Sequence, residues 1–216
     1  MTSEKDDVLD VTTPHGPARV HVTVPDSPRG ALALGHGAGG GVGAKDLVAT
    51  AEVAAGLSLA VALVEQPYRV AGRRAPAPAR QLDAAWTAVM AELRAGALAG
   101  VPLVVGGRSS GARVACRTAA EIGAAAVLCL AFPLQTPGRP DRPSRLPELE
   151  QVTVPVLVVQ GERDPFGMPP PAPGREVVVV AGDHNLARDV PAVRAAVRGW
   201  LPAVLPTTAG ERPAPR

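Results

Sequence analysis

The residue pattern with the clearest chemical meaning is Gly107-Arg108-Ser109-Ser110-Gly111, which has the form G-x-S-x-G. The apolar run 101–105 comes before it, and a stretch rich in small residues, 112–122, follows it. A strand that turns sharply into a helix presents such a serine at the end of a sheet, with its hydroxyl exposed for attack on a carbonyl group. The pattern therefore predicts a nucleophilic serine on a strand–turn–helix, called a nucleophile elbow.

The glycine positions select Ser109 rather than Ser110 as the nucleophile. A turn this sharp brings together the residues two before and two after the nucleophile, and only glycine avoids a clash of Cβ atoms there. With Ser109 at the centre, these two positions are Gly107 and Gly111, whereas Ser110 would put side chains at both. A Gly/Ser loop without a catalytic role is the alternative, and the flanking strand and helix favour the elbow.

A serine hydroxyl needs a base to remove its proton, and that base needs an acid to orient it. In the chain order Ser, acid, His, the base lies after the nucleophile. Of four histidines, only His184 follows Ser109, and it comes directly after the predicted strand 176–180. His184 is therefore the candidate base, and a polar loop histidine without a catalytic role is the alternative.

The acid is expected after the strand that precedes the histidine's strand. Asp164 follows the apolar run 154–159 and stands before Pro165, which favours a defined turn. Glu162 and Asp183 are its rivals, and a turn-capping role for Asp164 is the alternative. Because adjacent side chains usually point apart, Asp183 is a poor partner for its neighbour. We therefore predict that Asp164 orients the base.

The glycine-rich segment 35–41 is the candidate for stabilising a negatively charged oxygen. Attack on a carbonyl creates an oxyanion that needs two hydrogen-bond donors, and one is the backbone N–H after the nucleophile, here Ser110. We assign the second donor to Ala38, with Gly37 next in line. The segment lacks the spacing of a Walker loop or of a dinucleotide-binding turn. His36 is expected to shape the loop and not to act as a base.

The elements that must position these residues form a mostly parallel, doubly wound α/β sheet. Continuous apolar runs alternate with helical segments, and the helix face of Leu82, Trp86, Val89 and Leu93 has the required spacing. An antiparallel hairpin is predicted at the N-terminus, over 8–11 and 18–24. The polar residues that follow the strands lie at the carboxyl edge, where such sheets bind ligands. One domain is predicted over 8–203, with flexible termini at 1–7 and 204–216.

Composition excludes several classes of function. The 216 residues carry a net charge of +2 and include only two Trp, one Tyr and two Phe, so nucleic-acid binding is not expected. No membrane-spanning segment and no signal peptide are predicted. Cys116 and Cys129 are expected to be buried small residues rather than a disulfide or a metal site, which favours a cytoplasmic location. The proposed chemistry requires no metal and no cofactor.

The combined motifs resemble a known family. Segments 35–39, 106–111, 159–167 and 182–184 are similar to the α/β hydrolases of the testis-expressed-30 and KAT8-complex-subunit-3-like group, which is related to dienelactone hydrolases. The resemblance implies an α/β-hydrolase fold and a triad of Ser109, Asp164 and His184. It also implies that Tyr68, Arg73 and Arg74 belong to a recurrent feature that contacts substrate or forms a salt-bridged loop rim.

The chain departs from that family after Gly167. A helix is usual there, but the proline-rich segment 168–174 cannot form one. Segment 133–147 is long enough for a loop only, so no cap domain is expected. The resemblance implies a serine hydrolase that cleaves an ester, thioester or similar small-molecule acyl substrate through an acyl-enzyme. A non-catalytic scaffold that binds an unknown partner protein, and acyl transfer to an acceptor other than water, are the alternatives.

Overall fold

The computed structural model describes residues 4–139 and 141–205, and within these ranges the chain forms one sheet flanked by helices. Its strands are β1 (Glu4–Thr13), β2 (Gly16–Pro25), β3 (Ala31–Gly35), β4 (Ala60–Glu65), β5 (Leu103–Arg108), β6 (Ala126–Leu130), β7 (Val156–Gly161) and β8 (Arg175–Val180). Its helices are α1 (Lys45–Ala55), α2 (Pro67–Val70), α3 (Ala79–Ala95), α4 (Ser110–Ile122), α5 (Leu146–Glu150) and α6 (Val190–Val204).

The strand order in the sheet is β1-β2-β4-β3-β5-β6-β7-β8. The neighbours β1, β2 and β4 pair antiparallel, and every pairing from β4 across to β8 is parallel. This arrangement confirms the predicted mostly parallel sheet with an N-terminal antiparallel hairpin. Strand β5 lies near the middle of the sheet, so the turn that follows it opens at the carboxyl edge, between the ends of β3 and β6.

Two hydrophobic layers cover the sheet. On one face, buried residues such as Val105 and Val127 pack with α3 and α4, and Trp86 of α3 is buried among them. On the other face, Leu32 and Leu128 pack with α1 and α6. Successive side chains of a strand point to opposite faces, so strands covered on both sides must be apolar throughout. This requirement explains the continuous apolar runs of the central strands.

The boundaries differ from the sequence predictions at several points. Residues 4–7, which the sequence places in a flexible terminus, are the first part of β1 and pair with the end of β2. The short helix α2 contains Tyr68, and α5 begins at the end of segment 133–147, which was predicted to be a loop; neither helix was predicted. Segment 168–174 contains no helix, as its prolines predict. Segments 1–3 and 206–216, also predicted to be flexible, lie outside the described residues.

Three further observations bear on the predictions. Cys116 of α4 and Cys129 of β6 are buried and unbridged, with their Sγ atoms 3.5 Å apart. Between β6 and β7 the described chain forms only a loop and the five-residue helix α5, which leaves no room for a cap domain. No helix in the described part of the chain combines the length and apolar character needed to cross a membrane.

Candidate active site

Ser109 occupies the turn between β5 and α4, with a φ of 52°. A positive φ is unfavourable for a residue with a side chain and persists only where the surroundings enforce it. Here the Ser109 N–H donates to the Leu130 carbonyl at 2.9 Å. A Cβ atom at Gly107 or at Gly111 would overlap the carbonyl oxygen of Gly35. The close approach of the chains therefore requires glycine at these two positions, as predicted for an elbow centred on Ser109.

His184 lies in the loop between β8 and α6, with its imidazole between the other two predicted residues. Its Nε2 atom is 2.9 Å from Ser109 Oγ, and its Nδ1 atom is 2.8 Å from Asp164 Oδ2. Because an ionised carboxylate only accepts hydrogen bonds, Nδ1 carries the proton and Nε2 accepts from the serine hydroxyl. The structure therefore brings Ser109, His184 and Asp164 into one hydrogen-bonded line.

Asp164 is held by groups from its own loop and from β7. Its side chain is 1 % exposed, and the amide of the fully buried Gln160 lies 2.8 Å from the same Oδ2 atom that faces His184. The Phe166 N–H donates to Oδ1 at 2.8 Å. These donors compensate the burial of the charge and fix the orientation of the carboxylate. The rivals Glu162 and Asp183 are both exposed to solvent.

Phe166 also contacts the imidazole directly. Its ring centroid lies 4.2 Å from that of His184, with the two planes 33° apart. An aromatic ring in this position shields one side of the base from water and limits its rotation. Phe166 lies in the family-like segment 159–167, but nothing local in the sequence indicates which side chain covers the imidazole, so its role was not predicted.

The glycine-rich loop after β3 reaches Ser109. A Cβ atom placed on Gly37 would lie 3.6 Å from the Cβ of Ser109. Ser110 begins α4, so its N–H is one of the helix's first four, which lack acceptors within the helix and carry its partial positive charge. The hydroxyl of Tyr68 donates to the Ala38 carbonyl at 2.9 Å. The loop assigned to the oxyanion is thus next to Ser109 and is supported by a buried tyrosine, whose pKa burial raises.

His36 uses both ring nitrogens within this loop. The backbone N–H of Gln66 donates to Nε2 at 3.1 Å, so Nδ1 carries the proton and donates to the Gly37 carbonyl at 2.8 Å. The side chain is buried, and burial lowers its pKa, which favours the neutral form. His36 therefore shapes the loop, as the sequence predicted.

Arg108 is a further residue at this site whose role was not predicted from the sequence. Its Nη2 atom donates to the His184 carbonyl at 3.1 Å and to Asn185 Oδ1 at 2.8 Å. Its Nε atom lies 3.0 Å from Oδ2 of Asp46, a residue of α1 that is 1 % exposed. A Cβ atom on Gly37 would lie 3.2 Å from Nη1. The Arg108 guanidinium thus binds both α1 and the loop that contains His184, and it lies beside Gly37 of the glycine-rich loop.

Burial and the charge of Arg108 have opposite effects on the pKa of Asp46. Burial raises the pKa of Asp46, and the positive charge of Arg108 opposes that rise. The cost of removing the carboxylate from water therefore exceeds the attraction that the arginine supplies.

The remaining predicted site residues lie away from the triad's hydrogen bonds. Arg73 and Arg74 are exposed to solvent, and the described contacts do not connect their guanidinium groups to Ser109 or His184. Contact of Tyr68, Arg73 and Arg74 with substrate therefore stays a prediction. Within residues 4–139 and 141–205, no three His, Cys, Asp or Glu side chains cluster in a way that could hold a metal ion.

Comparison with known families decides the relationship. Residues 28–189 match the alpha/beta hydrolase domain family, and this range includes Ser109, Asp164 and His184. The chain belongs to this family. The match does not single out the testis-expressed-30 group within the alpha/beta hydrolases. A search of curated proteins finds no significant match.

Solved structures show the same fold for this hydrolase. A serine hydrolase without a lid from Xanthomonas campestris is 23 % identical, with a TM-score of 0.74, over 94 % of this chain and 97 % of that one. A dienelactone hydrolase from Anabaena variabilis is 18 % identical, with a TM-score of 0.74, over 94 % and 99 %. An esterase from Pyrococcus furiosus is 14 % identical, with a TM-score of 0.73, over 94 % of each chain.

Proposed function

We propose that this alpha/beta hydrolase cleaves an ester, thioester or related acyl bond with Ser109, His184 and Asp164 as a catalytic triad. The observation that carries the proposal is the unbroken line from Ser109 Oγ to His184 Nε2 at 2.9 Å and from His184 Nδ1 to Asp164 Oδ2 at 2.8 Å. These distances lie within the hydrogen-bonding range that proton transfer requires.

The reaction has two halves. Ser109 Oγ bonds to the carbonyl carbon of the substrate while its proton passes to His184 Nε2, and the carbonyl oxygen becomes an oxyanion. His184 then gives that proton to the leaving group as its bond to carbon breaks, which leaves an acyl-enzyme. Water attacks the acyl-enzyme while its proton passes to His184, and His184 gives that proton to Ser109 Oγ as the bond between Oγ and the acyl carbon breaks, which releases the carboxylic acid and restores the free serine. Asp164 stays ionised and stabilises the positive charge on the imidazole.

The oxyanion is held by backbone N–H groups of Ser110 and of the glycine-rich loop, where Ala38 is our first choice and Gly37 the second. Ser110 contributes the positive end of α4. The Tyr68 hydroxyl on the Ala38 carbonyl and the His36 ring on the Gly37 carbonyl fix the peptide planes of this loop. A donor of this kind contributes on the order of 100-fold to 1,000-fold in turnover.

The resemblance of the motifs to the testis-expressed-30 and KAT8-complex-subunit-3-like group stands as the finer family proposal. A reducing compartment such as the cytoplasm fits the two unbridged cysteines, whose sulfur atoms lie near each other. Acyl transfer to an acceptor other than water would use the same residues, and a non-catalytic scaffold is the remaining alternative.

Labelling with a fluorophosphonate tests the nucleophile. The wild-type protein should be labelled, Ser109→Ala should not, and the matched control Ser110→Ala should be labelled because its backbone N–H is retained. Hydrolysis of p-nitrophenyl acetate should fall at least about 1,000-fold in Ser109→Ala and His184→Ala. Equal labelling of Ser109→Ala would overturn the assignment. A folded wild-type protein with neither labelling nor hydrolysis would favour the scaffold.

A further inference from the structure

A cavity lies between α4 and the β6–β7 connection, which contains α5. Its volume is about 490 Å³, and its polar lining consists of Arg113, Thr136, Arg142, Ser144, Arg145 and Glu148. Three arginines and one carboxylate therefore face the same space. None of these residues takes part in the mechanism derived above.

The single carboxylate in this cavity is already committed to other arginines. Arg113 binds Glu148 through two nitrogens, at 2.8 and 2.6 Å, and Arg117 reaches the same carboxylate at 3.2 Å. Arg117 is also paired with Asp83, at 2.6 and 2.8 Å. Both oxygens of the Glu148 carboxylate are therefore already paired with arginines, and Glu148 makes no described hydrogen bond to Arg142 or Arg145.

Arg145 and Arg142 supply the excess positive charge. Arg145 donates only to neutral acceptors, the Pro133 and Gln135 carbonyls and the Thr136 hydroxyl, at 2.9, 3.4 and 3.0 Å. Burial lowers the pKa of Arg145, the positive charges of Arg113 and Arg142 lower it further, and the negative charge of Glu148 opposes them only in part. Arg142 is exposed, and its side chain has no hydrogen bond or ion pair anywhere in the described structure.

Each wall of the cavity is connected by a backbone hydrogen bond to Ser109 or to Phe166, which contacts His184. On one side, the Arg113 N–H donates to the Ser109 carbonyl at 3.2 Å, which places Arg113 about 6 Å further along the helix axis. On the other side, the Gln135 N–H donates to the Phe166 carbonyl at 2.8 Å, and the Phe166 ring lies against His184. Arg113 and Thr136, one lining residue from each wall, therefore lie near Ser109 and near the contact between Phe166 and His184.

We propose that this cavity is a subsite for an oxyanion, a carboxylate or phosphate group carried by the substrate. Arg145 is fixed by the loop and sets the positive potential, while Arg142 is free to close on the anion and donate to it. Thr136 and Ser144 offer hydroxyl groups beside them. The inference rests on the proposed hydrolysis at Ser109 and defines the substrate class as anionic acyl compounds.

Two matched substrate pairs locate the anion. The first pair compares the p-nitrophenyl monoester of succinate with p-nitrophenyl butyrate, which places a carboxylate on the acyl group. The second compares acetyl-coenzyme A with S-acetyl-N-acetylcysteamine, which places phosphates on the leaving group. In at least one pair, the wild-type protein should show a lower KM for the charged member, and added salt should reduce the difference.

Substitutions at Arg142 give a graded test. The ratio of the KM for the charged member to that for the neutral member should rise about ten-fold in Arg142→Gln, rise further in Arg142→Glu and stay close to wild type in Arg142→Lys, because a charge-assisted hydrogen bond contributes about 1.5 kcal/mol. Arg139→Gln is the matched control, since Arg139 lies in the same loop beside Asp141 and does not line the cavity. The control should leave the ratio unchanged.

The outcomes separate the two proposals. Hydrolysis of the neutral substrates with no preference for either charged member, or a ratio that does not follow the charge at position 142, overturns the subsite and leaves the hydrolase intact. A wild-type protein that hydrolyses none of the four substrates and is not labelled by a fluorophosphonate overturns both.

Discussion

The buried ion pair between Asp46 and Arg108 leads to a prediction about stability and activity together. Asp46→Asn removes one charge with little change in volume. The carboxylate is 1 % exposed and the arginine 13 % exposed, so the arginine would keep its charge in a site largely closed to water. Removing one partner of a buried pair typically costs about 3 to 5 kcal/mol.

The low end of that range applies here, because Arg108 keeps its hydrogen bonds to the His184 carbonyl and to Asn185. We therefore expect Asp46→Asn to lower the free energy of unfolding by about 3 kcal/mol. For a chain of this length, such a loss corresponds to a Tm lower by about 6 to 12 °C. Urea unfolding followed by circular dichroism, together with a thermal melt, measures both quantities.

A double variant separates the charge from the contact. Since burial already outweighs the attraction to Arg108 in setting the pKa of Asp46, replacing both partners with apolar residues should cost little. Asp46→Leu combined with Arg108→Met should therefore be more stable than Asp46→Asn, even though the hydrogen bonds from Arg108 to the His184 carbonyl and to Asn185 are lost. Its ester hydrolysis should nevertheless be reduced, because the His184 carbonyl loses its donor. If the double variant is as unstable as Asp46→Asn, or fully active, the reasoning is refuted.

Three further predictions follow from the same contacts. Gly111→Ala should destabilise the fold by about 3 kcal/mol or more in thermal unfolding, because its Cβ would overlap the backbone of Gly35; Gly39→Ala, with open space around it, should leave the melting curve unchanged. Gln160→Leu should lower kcat about 10- to 100-fold and should also lower the Tm, since it removes hydrogen bonds to the Asp164 carboxylate and to the Phe132 and Gly167 carbonyls; an unchanged kcat would show that the amide does not position Asp164. Because burial lowers the pKa of His36 below 6.5, the unfolded chain binds a proton there that the folded chain does not, so stability should fall as the pH drops below about 6.5. His36→Asn should make the change in unfolding free energy between pH 7 and pH 5 smaller, and an unchanged slope would contradict this assignment.

Local patterns account for the parts of the structure that the sequence predicted well. Continuous apolar runs identify the central strands, because those strands are covered on both faces. The glycines at 107 and 111 identify Ser109, because a close approach of two backbones leaves a residue-type signature at fixed offsets. The order of motifs after strands then places His184 and Asp164 at the same edge of the sheet.

Other features leave no such signature. Helix α2 has four residues and α5 has five, too few to show a helical period. Residues 4–7 lack apolar alternation, although their backbone pairs with β2 at the edge of the sheet. The pair of Arg108 and Asp46 joins residues that are 62 positions apart in the sequence. The amide of Gln160 reaches the carboxylate of Asp164 only because the loop after β7 folds back towards β7. These contacts depend on the tertiary structure and have no spacing rule.

The proposed triad stands on three loops, and each loop is tied to residues at the end of a strand. The Ser109 N–H donates to Leu130 at the end of β6, Asp164 is bound by Gln160 of β7, and the backbone of His184 is bound by Arg108 at the end of β5. Because hydrogen bonding between parallel strands fixes the relative positions of the strand ends, these bonds also fix the relative positions of the three loops. Arg108 directly precedes Ser109, so the same turn carries Ser109 and the arginine that binds the backbone of His184. A shift of the His184 loop would therefore weaken both the hydrogen bond to Ser109 and the hydrogen bond from Arg108, which couples the alignment of His184 to the position of the elbow.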